Sequence, residues 1–446
     1  MKLLIIGAGP GGYETALAAA KRGVEVVLVE AGPVGGTCLN EGCIPTKSFC
    51  KNAHLLEQLR EAEAFGVSDL AYNFDFKAVT ARKNAVVEQL RGGVESLLSH
   101  KLITLVRGSA SFKDPHTVVV GDEEYTADYI IIATGSVSAS LPVPGADLEG
   151  ILTSKEILDI EEIPRRLCVI GGGVIGLEFA SIFNSFSSEV TVLEYCKEIL
   201  PRFDTDLAKR LKQCLGKKGI DINTQSQVLS ISKEGEQYKV TFLRKGKEES
   251  VVADKVLMAV GRKANVDSLN LSEAGVEFGP RGVVVNEVMQ TSQPHIYAVG
   301  DINGKMMLAH AAIFQGLVAL DHMMGVDNDI DLSVMPAAVF TSPEAASVGK
   351  TEEECKEAGI KVKCLKSFFR ANGKAVTMGE TEGFCKLIVE EETGLLLGCH
   401  LFGPHSSDIV QEVCALISRK STLKQLQDII HTHPTLTEVI QSVAHQ

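Results

Sequence analysis

The sequence lacks any apolar run as long as the ~20 residues that a membrane-spanning helix needs. Its most apolar stretches are short, as at 129–133. It also lacks the charged n-region, apolar h-region and cleavage site of a signal peptide, because the opening MKLLIIGAG has the pattern of a buried strand. We therefore expect no membrane partner, no export signal and a cytoplasmic location.

Basic residues are outnumbered, since 44 Lys and Arg stand against 57 Asp and Glu, for a formal net charge of -13. No Lys/Arg-rich stripe could displace the counterions of nucleic acid, so we expect no nucleic-acid partner. The 11 cysteines are an odd number and too sparse for a disulfide scaffold. No second close pair completes a zinc site, and no metal is expected. Apart from one pair, the cysteines, among them Cys50, Cys168, Cys214 and Cys399, are predicted to be reduced core residues.

What the sequence does contain is a repeated strand, glycine turn and helix. The apolar run 2–6 is followed by GAGPGG, an Ala-rich helix, and a second strand that ends at Glu30, 30 - 7 = 23 positions after the first glycine. In such a unit Gly7 makes the tight turn, Gly9 lets the backbone approach a pyrophosphate, and Gly12 allows the helix to pack on the strand. Glu30 can accept from ribose hydroxyls. The unit predicts a dinucleotide site.

The same unit recurs at 167–194, where GGGVIG follows a strand and the next strand ends at Glu194, 194 - 171 = 23 positions on. One such turn would be weak evidence, because flexible turns share the pattern. Two complete units predict two dinucleotides. Glu194 would repel a 2'-phosphate and no arginine follows at 195 or 196, which favours NAD over NADP.

The richest segment for chemistry is CLNEGCIPTK, which places Cys38 and Cys43 directly behind the first unit. On a regular helix, residues five apart rise ~7.5 Å and face different directions, so a disulfide between them requires a distorted helix. Gly42 and Pro45 could supply that distortion, and a strained disulfide is suited to exchange. The spacing alone favours two structural thiols, whereas the position behind a dinucleotide unit favours a redox pair.

Near the C-terminus, HTHPTLTE places His433 before a proline and Glu438 five positions later. A histidine can take a thiol proton while a carboxylate fixes its tautomer. Alone, the two residues are more typical of a surface cap or a satisfied polar pair. Together with the cysteine pair they predict a base and its orienting acid.

The chain closely resembles the pyridine nucleotide-disulfide oxidoreductases, and within them the dihydrolipoamide dehydrogenases. The motifs that carry the resemblance span the chain in the family's order: GAGPGG, GGTCLNEGCIPTK, IIIATGS, GGGVIGLEFA, AVGRKAN, YAVGD, MLAHAA, VFTSPEAASVG and HTHPTLTE. The fold class expected is α/β, with two Rossmann-like FAD/NAD(P)-binding domains and a C-terminal α+β dimerisation domain. We expect the FAD domain at 1–140, the NAD domain at 141–262, a second part of the FAD domain at 263–333 and the interface domain at 334–446. In that last domain we expect strands at 337–340, 384–389 and 395–401, and helices at 408–418 and 423–430.

The resemblance implies FAD in the first site and NAD in the second. The residues implied for FAD are Gly7, Gly9, Gly12, Glu30, Thr37, Lys47, Ala110, Thr134, Gly135, Ser136, Asp301, Met307, Leu308, Ala309 and His310. Those implied for NAD are Gly171, Gly173, Val174, Ile175, Gly176, Glu178, Glu194, Val228 and Gly261.

It also implies the division of labour. Cys43 would lie next to the flavin, Cys38 would meet the substrate, and Lys47 would lie near flavin N5, paired with Glu178. His433, oriented by Glu438, would come from the partner subunit, so the enzyme would be a homodimer. The reaction implied is oxidation of dihydrolipoamide by NAD⁺, with the dihydrolipoyl group carried by a lipoyl domain or carrier protein of a 2-oxoacid dehydrogenase or glycine-cleavage system.

Other functions are weighed against this one. Glutathione reductases normally carry an NADP-binding arginine pair that is missing here. Mercuric reductases and large thioredoxin reductases usually end in a cysteine pair, whereas this chain ends in SVAHQ. A diaphorase-like NADH oxidase and a non-catalytic nucleotide-binding subunit also remain open at this stage.

Overall fold

The computed structural model describes residues 1–446 and contains 12 α-helices and 25 strands. The helices are α1 (Pro10–Lys21), α2 (Gly36–Glu41), α3 (Cys43–Arg60), α4 (Phe76–Leu98), α5 (Val174–Ser185), α6 (Thr205–Lys217), α7 (Ala309–Met324), α8 (Glu352–Glu357), α9 (Gly373–Met378), α10 (Ser406–Ser418), α11 (Leu423–Gln427) and α12 (Glu438–Ala444). The first strands are β1 (Lys2–Ile6), β2 (Glu25–Glu30), β3 (Ile103–Arg107), β4 (Ala110–Asp114), β5 (Thr117–Val120), β6 (Glu123–Thr126), β7 (Tyr129–Ile132), β8 (Ser136–Ser138) and β9 (Ile151–Leu152). Next come β10 (Arg166–Ile170), β11 (Glu189–Glu194), β12 (Asp221–Thr224), β13 (Ser226–Glu234), β14 (Gln237–Arg244), β15 (Lys247–Ala253), β16 (Lys255–Met258), β17 (Arg262–Ala264), β18 (Phe278–Gly279) and β19 (Gly282–Val283). The last are β20 (Ile296–Ala298), β21 (Ala337–Val339), β22 (Glu344–Gly349), β23 (Val362–Phe368), β24 (Phe384–Glu390) and β25 (Leu396–Gly403).

The two predicted dinucleotide units form two parallel sheets of matching order. The first sheet runs β20-β7-β1-β2-β3 and the second runs β9-β16-β10-β11-β12. Each glycine turn joins the central strand of its sheet to a helix, α1 or α5, and each sheet is accompanied by a three-stranded antiparallel sheet, β4-β5-β6 or β13-β14-β15. The central strands are buried on both faces, as their unbroken apolar runs predict. The repeat in the sequence is therefore a repeat in the fold.

The glycines explain how each helix follows its strand. Gly7 has φ +104° and a Cβ there would lie 2.4 Å from the carbonyl oxygen of Ala133, while a Cβ on Gly12 would lie 1.8 Å from that of Gly7. The second turn repeats this, with φ +113° at Gly171 and 2.0 Å between a Cβ on Gly176 and the Gly171 oxygen. Only glycine permits both the backbone conformation and the helix-strand contact.

The first sheet is completed late in the chain. Strand β20 pairs with β7, and helix α7 then packs on α1, so residues on either side of the second unit share one core. This agrees with an inserted NAD domain. The four ranges expected from the sequence remain our proposal for the domain limits.

The C-terminal region is a mixed α+β layer. Its antiparallel sheet has the order β21-β22-β25-β24-β23, with α10 and α12 packed on it. The three predicted strands are confirmed to within two residues at their ends, and the first predicted helix begins at Ser406. The helix predicted at 423–430 is too long, because α11 ends at Gln427 and Ile430 is 95% exposed instead of packing in the core. None of the helices combines the length and hydropathy needed to cross a bilayer. The α/β fold class is confirmed.

Candidate active site

A single cavity of about 3130 Å³ connects the two glycine turns. Pockets for one small ligand usually occupy about 300–1,000 Å³, so this cavity has room for two dinucleotides. Most residues implied for FAD line it, namely Gly7, Gly9, Glu30, Thr37, Lys47, Ala110, Thr134, Gly135, Ser136, Asp301, Met307, Leu308, Ala309 and His310. So do those implied for NAD, namely Gly171, Gly173, Val174, Ile175, Glu178, Glu194, Val228 and Gly261.

Two of the implied cofactor residues lie elsewhere. Gly12 and Gly176 do not line the cavity, because each faces the preceding glycine turn and allows the close helix-strand contact described above. Their role is therefore to shape the turn and not to contact a ligand.

The empty space at the turns fits dinucleotide phosphates. A Cβ on Gly173, Gly135 or Gly261 would have no atom within 4 Å, so the backbone there borders open cavity. Helices α1 and α5 begin directly after Gly9 and Gly173, and no side chain caps either N-terminus. Uncapped N–H groups at a helix N-terminus attract phosphate. The residues present therefore fit two bound dinucleotides.

Glu30 and Glu194 are held in matching positions at the ends of β2 and β11. The N–H groups of Ala8 and Gly32 donate to Glu30 at 2.6 and 2.8 Å. Glu194 accepts from the N–H groups of Gly172 and Cys196. Each carboxylate oxygen has a further lone pair with which it can accept from a ribose hydroxyl.

The two cysteines are brought together by a break in a helix. Cys38 lies in α2, which ends at Glu41, and Cys43 is the first residue of α3. Gly42 between them leaves the helical conformation at φ -143° and ψ -108°, and a Cβ there would lie 3.0 Å from the carbonyl oxygen of Thr37. The predicted distortion is thus present at Gly42. Pro45 does not cause it, because it lies in the first turn of α3, where a missing N–H costs nothing.

As free thiols, Cys38 and Cys43 differ in acidity. A hydrogen bond from Cys38 and the nearby cation of Lys47 lower the pKa of Cys43 from 9.0 to about 7, against burial and the charge of Glu178. The pKa of Cys38 is raised, first by its hydrogen bond to Cys43 and then by burial. Cys43 is therefore the thiol that ionises near neutral pH, and Cys38 is the one that holds its proton.

Lys47 and Glu178 form an ion pair beside the cysteines. The ammonium group donates to the two carboxylate oxygens at 3.1 and 2.9 Å, and it also lies 4.3 Å from the ring centroid of Phe340. Phe340 donates its N–H to Glu178 Oε1 at 3.0 Å. Burial lowers the pKa of Lys47, but the carboxylate of Glu178 outweighs it and the net pKa is raised. Lys47 therefore remains a cation at the cavity wall.

Sequence reasoning missed two residues at this wall. Arg262 donates to Ser136 Oγ at 2.7 Å and to its carbonyl oxygen at 2.8 Å, while Ser136 Oγ donates to Asp301 at 2.5 Å. Arg262 lies in the motif AVGRKAN, and Phe340 lies in VFTSPEAASVG, so both motifs held the signal. The prediction that the other cysteines fill the core is wrong for Cys364, which is exposed on the edge strand β23, and Cys50, Cys196 and Cys214 are only partly buried.

His433 and Glu438 are paired but do not line the cavity of their own chain. His433 Nδ1 lies 2.8 Å from Glu438 Oε1, and the N–H of Thr435 donates to Oε2 at 2.8 Å. These two hydrogen bonds lower the pKa of Glu438. With Nδ1 occupied, Nε2 is left as the free nitrogen, on a side chain that is 79% exposed. The neighbouring His431 is buried against Glu412, which fixes the segment.

Comparison with known proteins gives full-length matches. The family model described as pyridine nucleotide-disulphide oxidoreductase matches residues 1–316, and that family's dimerisation domain matches 335–444. The dihydrolipoyl dehydrogenase of Thermus scotoductus is 41% identical over 99% of this chain and 96% of its own length. That of Bacillus subtilis is 38% identical over 99% and 97%.

Solved structures agree. The flavoprotein disulfide reductase RclA from Escherichia coli, described as HOCl-induced, has a TM-score of 0.89 at 30% identity, over 100% of this chain and 99% of that one. LpdA from Mycobacterium tuberculosis has a TM-score of 0.92 at 26% identity, over 100% and 99%. These matches confirm the resemblance seen in the motifs. The chain belongs to the pyridine nucleotide-disulphide oxidoreductase family, and it is an oxidoreductase with FAD and NAD as its cofactors.

Proposed function

We propose that the chain oxidises dihydrolipoyl groups with NAD⁺ through a Cys38–Cys43 disulfide. The observation that carries this proposal is the position of the two cysteines in one cavity with both glycine turns, beside the Lys47–Glu178 pair. The identity of 38–41% to curated dihydrolipoyl dehydrogenases, over nearly the whole of both chains, supports the substrate class.

The unequal acidity of the cysteines supports a direction of attack. A thiolate of the dihydrolipoyl group attacks the sulfur of Cys38 in the enzyme disulfide, the bond between Cys38 and Cys43 breaks, and Cys43 leaves as a thiolate. A leaving thiol of lower pKa leaves faster, and Cys43 is the one whose pKa is lowered. The cation of Lys47 stabilises the charge that develops on Cys43.

The second half of the exchange needs a proton carrier. The remaining substrate thiol attacks the sulfur bound to Cys38, so that the lipoyl disulfide forms and Cys38 is released. Because the pKa of Cys38 is raised, its sulfur must be protonated as it leaves. His433 supplies that proton through Nε2, after taking it from a substrate thiol, while Glu438 holds Nδ1. Two electrons then reside on the Cys38/Cys43 dithiol.

The chemistry that bound FAD supplies is two-electron transfer between this dithiol and the nicotinamide of NAD. Gly9, Glu30, Ser136 and Asp301 would hold FAD, and Gly173 and Glu194 would hold NAD. Glu178 and Lys47 would lie between the FAD site and the NAD site.

We propose that the base comes from a second copy of the chain. His433 is absent from the cavity wall of its own chain, largely exposed, and located in the region that matches the family's dimerisation domain. We therefore propose a homodimer in which each His433 serves the cysteines of the partner subunit. We also propose that the lipoyl partner belongs to a 2-oxoacid dehydrogenase or glycine-cleavage system, which assays against purified lipoyl proteins test. The proposed location is cytoplasmic, which cell fractionation tests.

The test of the proposed function is the variant Cys38→Ser. It should retain bound FAD and be reduced by NADH, but it should lose dihydrolipoamide turnover. Normal turnover in this variant would overturn the role of Cys38. Steady consumption of NADH with oxygen in both wild type and variant, without dihydrolipoamide turnover in either, would indicate an NADH oxidase instead. Activity with glutathione or thioredoxin disulfides in place of dihydrolipoamide would indicate another reductase of the family.

A further inference from the structure

The short segment Phe340–Ser342 lies between helices α3 and α5 and is hydrogen-bonded to both. Towards α5, the N–H of Phe340 donates to Glu178 at 3.0 Å, and the N–H of Ser342 donates to Ser181 Oγ at 3.3 Å. Towards α3, the thiol of Cys50 donates to the carbonyl oxygen of Phe340 at 3.4 Å. The segment that holds the catalytic carboxylate is therefore itself held at several points.

At its far end the segment meets Glu57, a largely buried carboxylate near the end of α3. Glu57 accepts from the hydroxyl groups of Ser342 and Ser185 and from the ammonium group of Lys218, the last at 3.1 Å. Lys218 also donates to Ser342 Oγ at 2.9 Å. One carboxylate thus joins α3, the end of α5, the residue that caps α6 and the segment Phe340–Ser342.

The spacing along the helices shows that these contacts form one continuous arrangement. Cys43, Cys50 and Glu57 follow one another at intervals of seven residues, which is two helical turns, and so share a face of α3. On α5, Ser181 and Ser185 lie three and seven residues after Glu178 and share its face. Residues of these two helix faces contact the segment Phe340–Ser342. The Lys47–Glu178 pair lies at one end of the segment, and Glu57 lies at the other.

Glu57 has no place in the chemistry itself. Neither it nor Ser185, Ser342 or Lys218 lines the cavity. Burial raises the pKa of Glu57, but Lys218 and the two hydroxyl groups outweigh it and the net pKa is lowered. The carboxylate is therefore ionised and fully paired, and neutralising it deprives Lys218 of its ionic partner and removes one of the two oxygens that accept from Lys218, Ser342 and Ser185.

We propose that Glu57 is a positioning residue, which fixes the segment Phe340–Ser342 and through it holds the Lys47–Glu178 pair beside Cys43. This inference rests on the proposed roles of Cys43 and Lys47. When Glu57 is neutralised, the segment loosens, the Phe340 N–H no longer holds Glu178 in place, and Lys47 spends less time near the Cys43 sulfur. The acidity of Cys43, which depends in part on Lys47, must then fall.

The experiment is a pH titration of the reduced, FAD-loaded dimer. The dithiol form of wild type, Glu57→Gln, Ser342→Ala and the control Glu61→Gln is titrated between about pH 5 and pH 9, with the long-wavelength absorbance of a thiolate beside the flavin as signal. Glu61 is exposed and outside the network. The expected midpoint is near pH 7 for wild type and control, and about 0.5 to 1 pH unit higher in the two variants. Thermal unfolding is followed in parallel.

The outcomes distinguish the positioning role of Glu57 from the proposed role of Cys43 on which it rests. A raised midpoint in Glu57→Gln and Ser342→Ala, with the control unchanged, supports the positioning role. Wild-type midpoints in both variants, even with a lowered unfolding temperature, would show that Glu57 is only a structural residue and would overturn the positioning role. No titrating band in wild type would overturn the assignment of Cys43, and this inference with it. If Glu57→Gln does not fold, the milder Ser342→Ala decides.

Discussion

His433 Nδ1 lies 2.8 Å from Glu438 Oε1, yet the imidazole is 79% exposed and touches no part of its own chain's cavity. A histidine whose Nδ1 is occupied and whose Nε2 faces outward is arranged to act on a group outside its own chain. In the homodimer proposed above, that group would be a substrate thiol at the partner's Cys38. The arrangement leads to the first prediction.

Replacing His433 with glutamine should slow dihydrolipoamide oxidation by about 10² to 10⁴-fold, the usual contribution of a general base. Glutamine cannot take or give the thiol proton. The transfer of electrons from NADH to the flavin should be unchanged, because it needs no such base. Stopped-flow reduction from each side measures the two half-reactions separately.

The control for this change is Glu438→Gln, which should have a smaller effect, since it removes the negative charge of the group that orients His433 but keeps the imidazole itself. Mixed dimers give a sharper check. Combining a His433→Gln subunit with a Cys38→Ser subunit should leave one working site in each dimer, because that site takes its cysteine from one chain and its base from the other. An inactive mixed dimer would show that both groups come from the same chain.

A second prediction concerns the cation next to the acidic thiol. Cys43 has a pKa of about 7, so its thiolate fraction rises with pH and is half-complete near pH 7. Replacing Lys47 with methionine removes a charge that favours the thiolate, and the midpoint should rise by about 1 to 3 pH units. The pH dependence of thiolate absorbance in the reduced enzyme measures it.

Lys51→Met is the matched control. Lys51 lies one turn further along α3 and is exposed, so the thiolate midpoint should stay near pH 7. Equal shifts in both variants would mean that the general charge of the helix, and not the contact with Lys47, sets the acidity of Cys43.

Alanine substitutions at two glycines of the second turn should have different effects, one on stability and the other on NADH binding. A Cβ on Gly176 would lie 2.0 Å from the Gly171 oxygen, so Gly176→Ala should force α5 away from β10 and destabilise the domain. A Cβ on Gly173 meets no atom within 4 Å and its φ of -80° suits alanine, so Gly173→Ala should fold normally. Because the new methyl group points into the space proposed for the pyrophosphate, the affinity of the Gly173→Ala variant for NADH should fall.

Circular dichroism melting and NADH titration separate the two effects. Gly173→Ala should keep the wild-type melting temperature and bound FAD while KM for NADH rises. Unchanged KM for NADH would argue against the second turn as the NAD site.

The sequence was sufficient for features that depend on neighbours in the chain. Strand, glycine turn and helix follow from local pattern, and the distance from each first glycine to Glu30 or Glu194 follows from the length of one helix. The same holds for His433 and Glu438, five residues apart. The fold contains these features as predicted, whereas the helix expected at 423–430 ends early, at Gln427.

Contacts that depend on distant parts of the chain were not derivable in this way. Lys47 and Glu178 are 131 positions apart, and their pairing was expected only because of family resemblance. The Phe340 N–H that donates to Glu178 is a backbone group, so no pattern of side chains in the sequence predicts this hydrogen bond. Glu57 and Ser342 are 285 positions apart, and although Ser342 lies in VFTSPEAASVG, Glu57 lies in none of the motifs quoted, so only the folded chain brings them together.

The last prediction concerns the contact between the NAD-binding unit and the C-terminal region. Lys386 on β24 is buried and donates to Asp204 at 2.9 Å, to Asp206 at 3.0 Å and to Glu352 at 2.7 Å. Asp204 is fully buried and also caps the N-terminus of α6. Burial lowers the pKa of Lys386, but these carboxylates outweigh it and the net pKa is raised, so the ammonium group stays charged at neutral pH.

Replacing Lys386 with methionine keeps the length of the side chain but leaves Asp204 as a buried charge without a cation beside it, which should cost about 3 to 5 kcal/mol. Urea unfolding followed by tryptophan-independent signals, such as flavin fluorescence and circular dichroism, should show an earlier midpoint. Lys363→Met on the neighbouring strand is the control, because Lys363 is exposed and its loss should change the midpoint little. The double variant Asp204→Asn with Lys386→Met should recover part of the loss, since it removes the stranded charge. If the double variant is no more stable than Lys386→Met alone, the cost arises from packing around the lysine stem and not from the unpaired carboxylate.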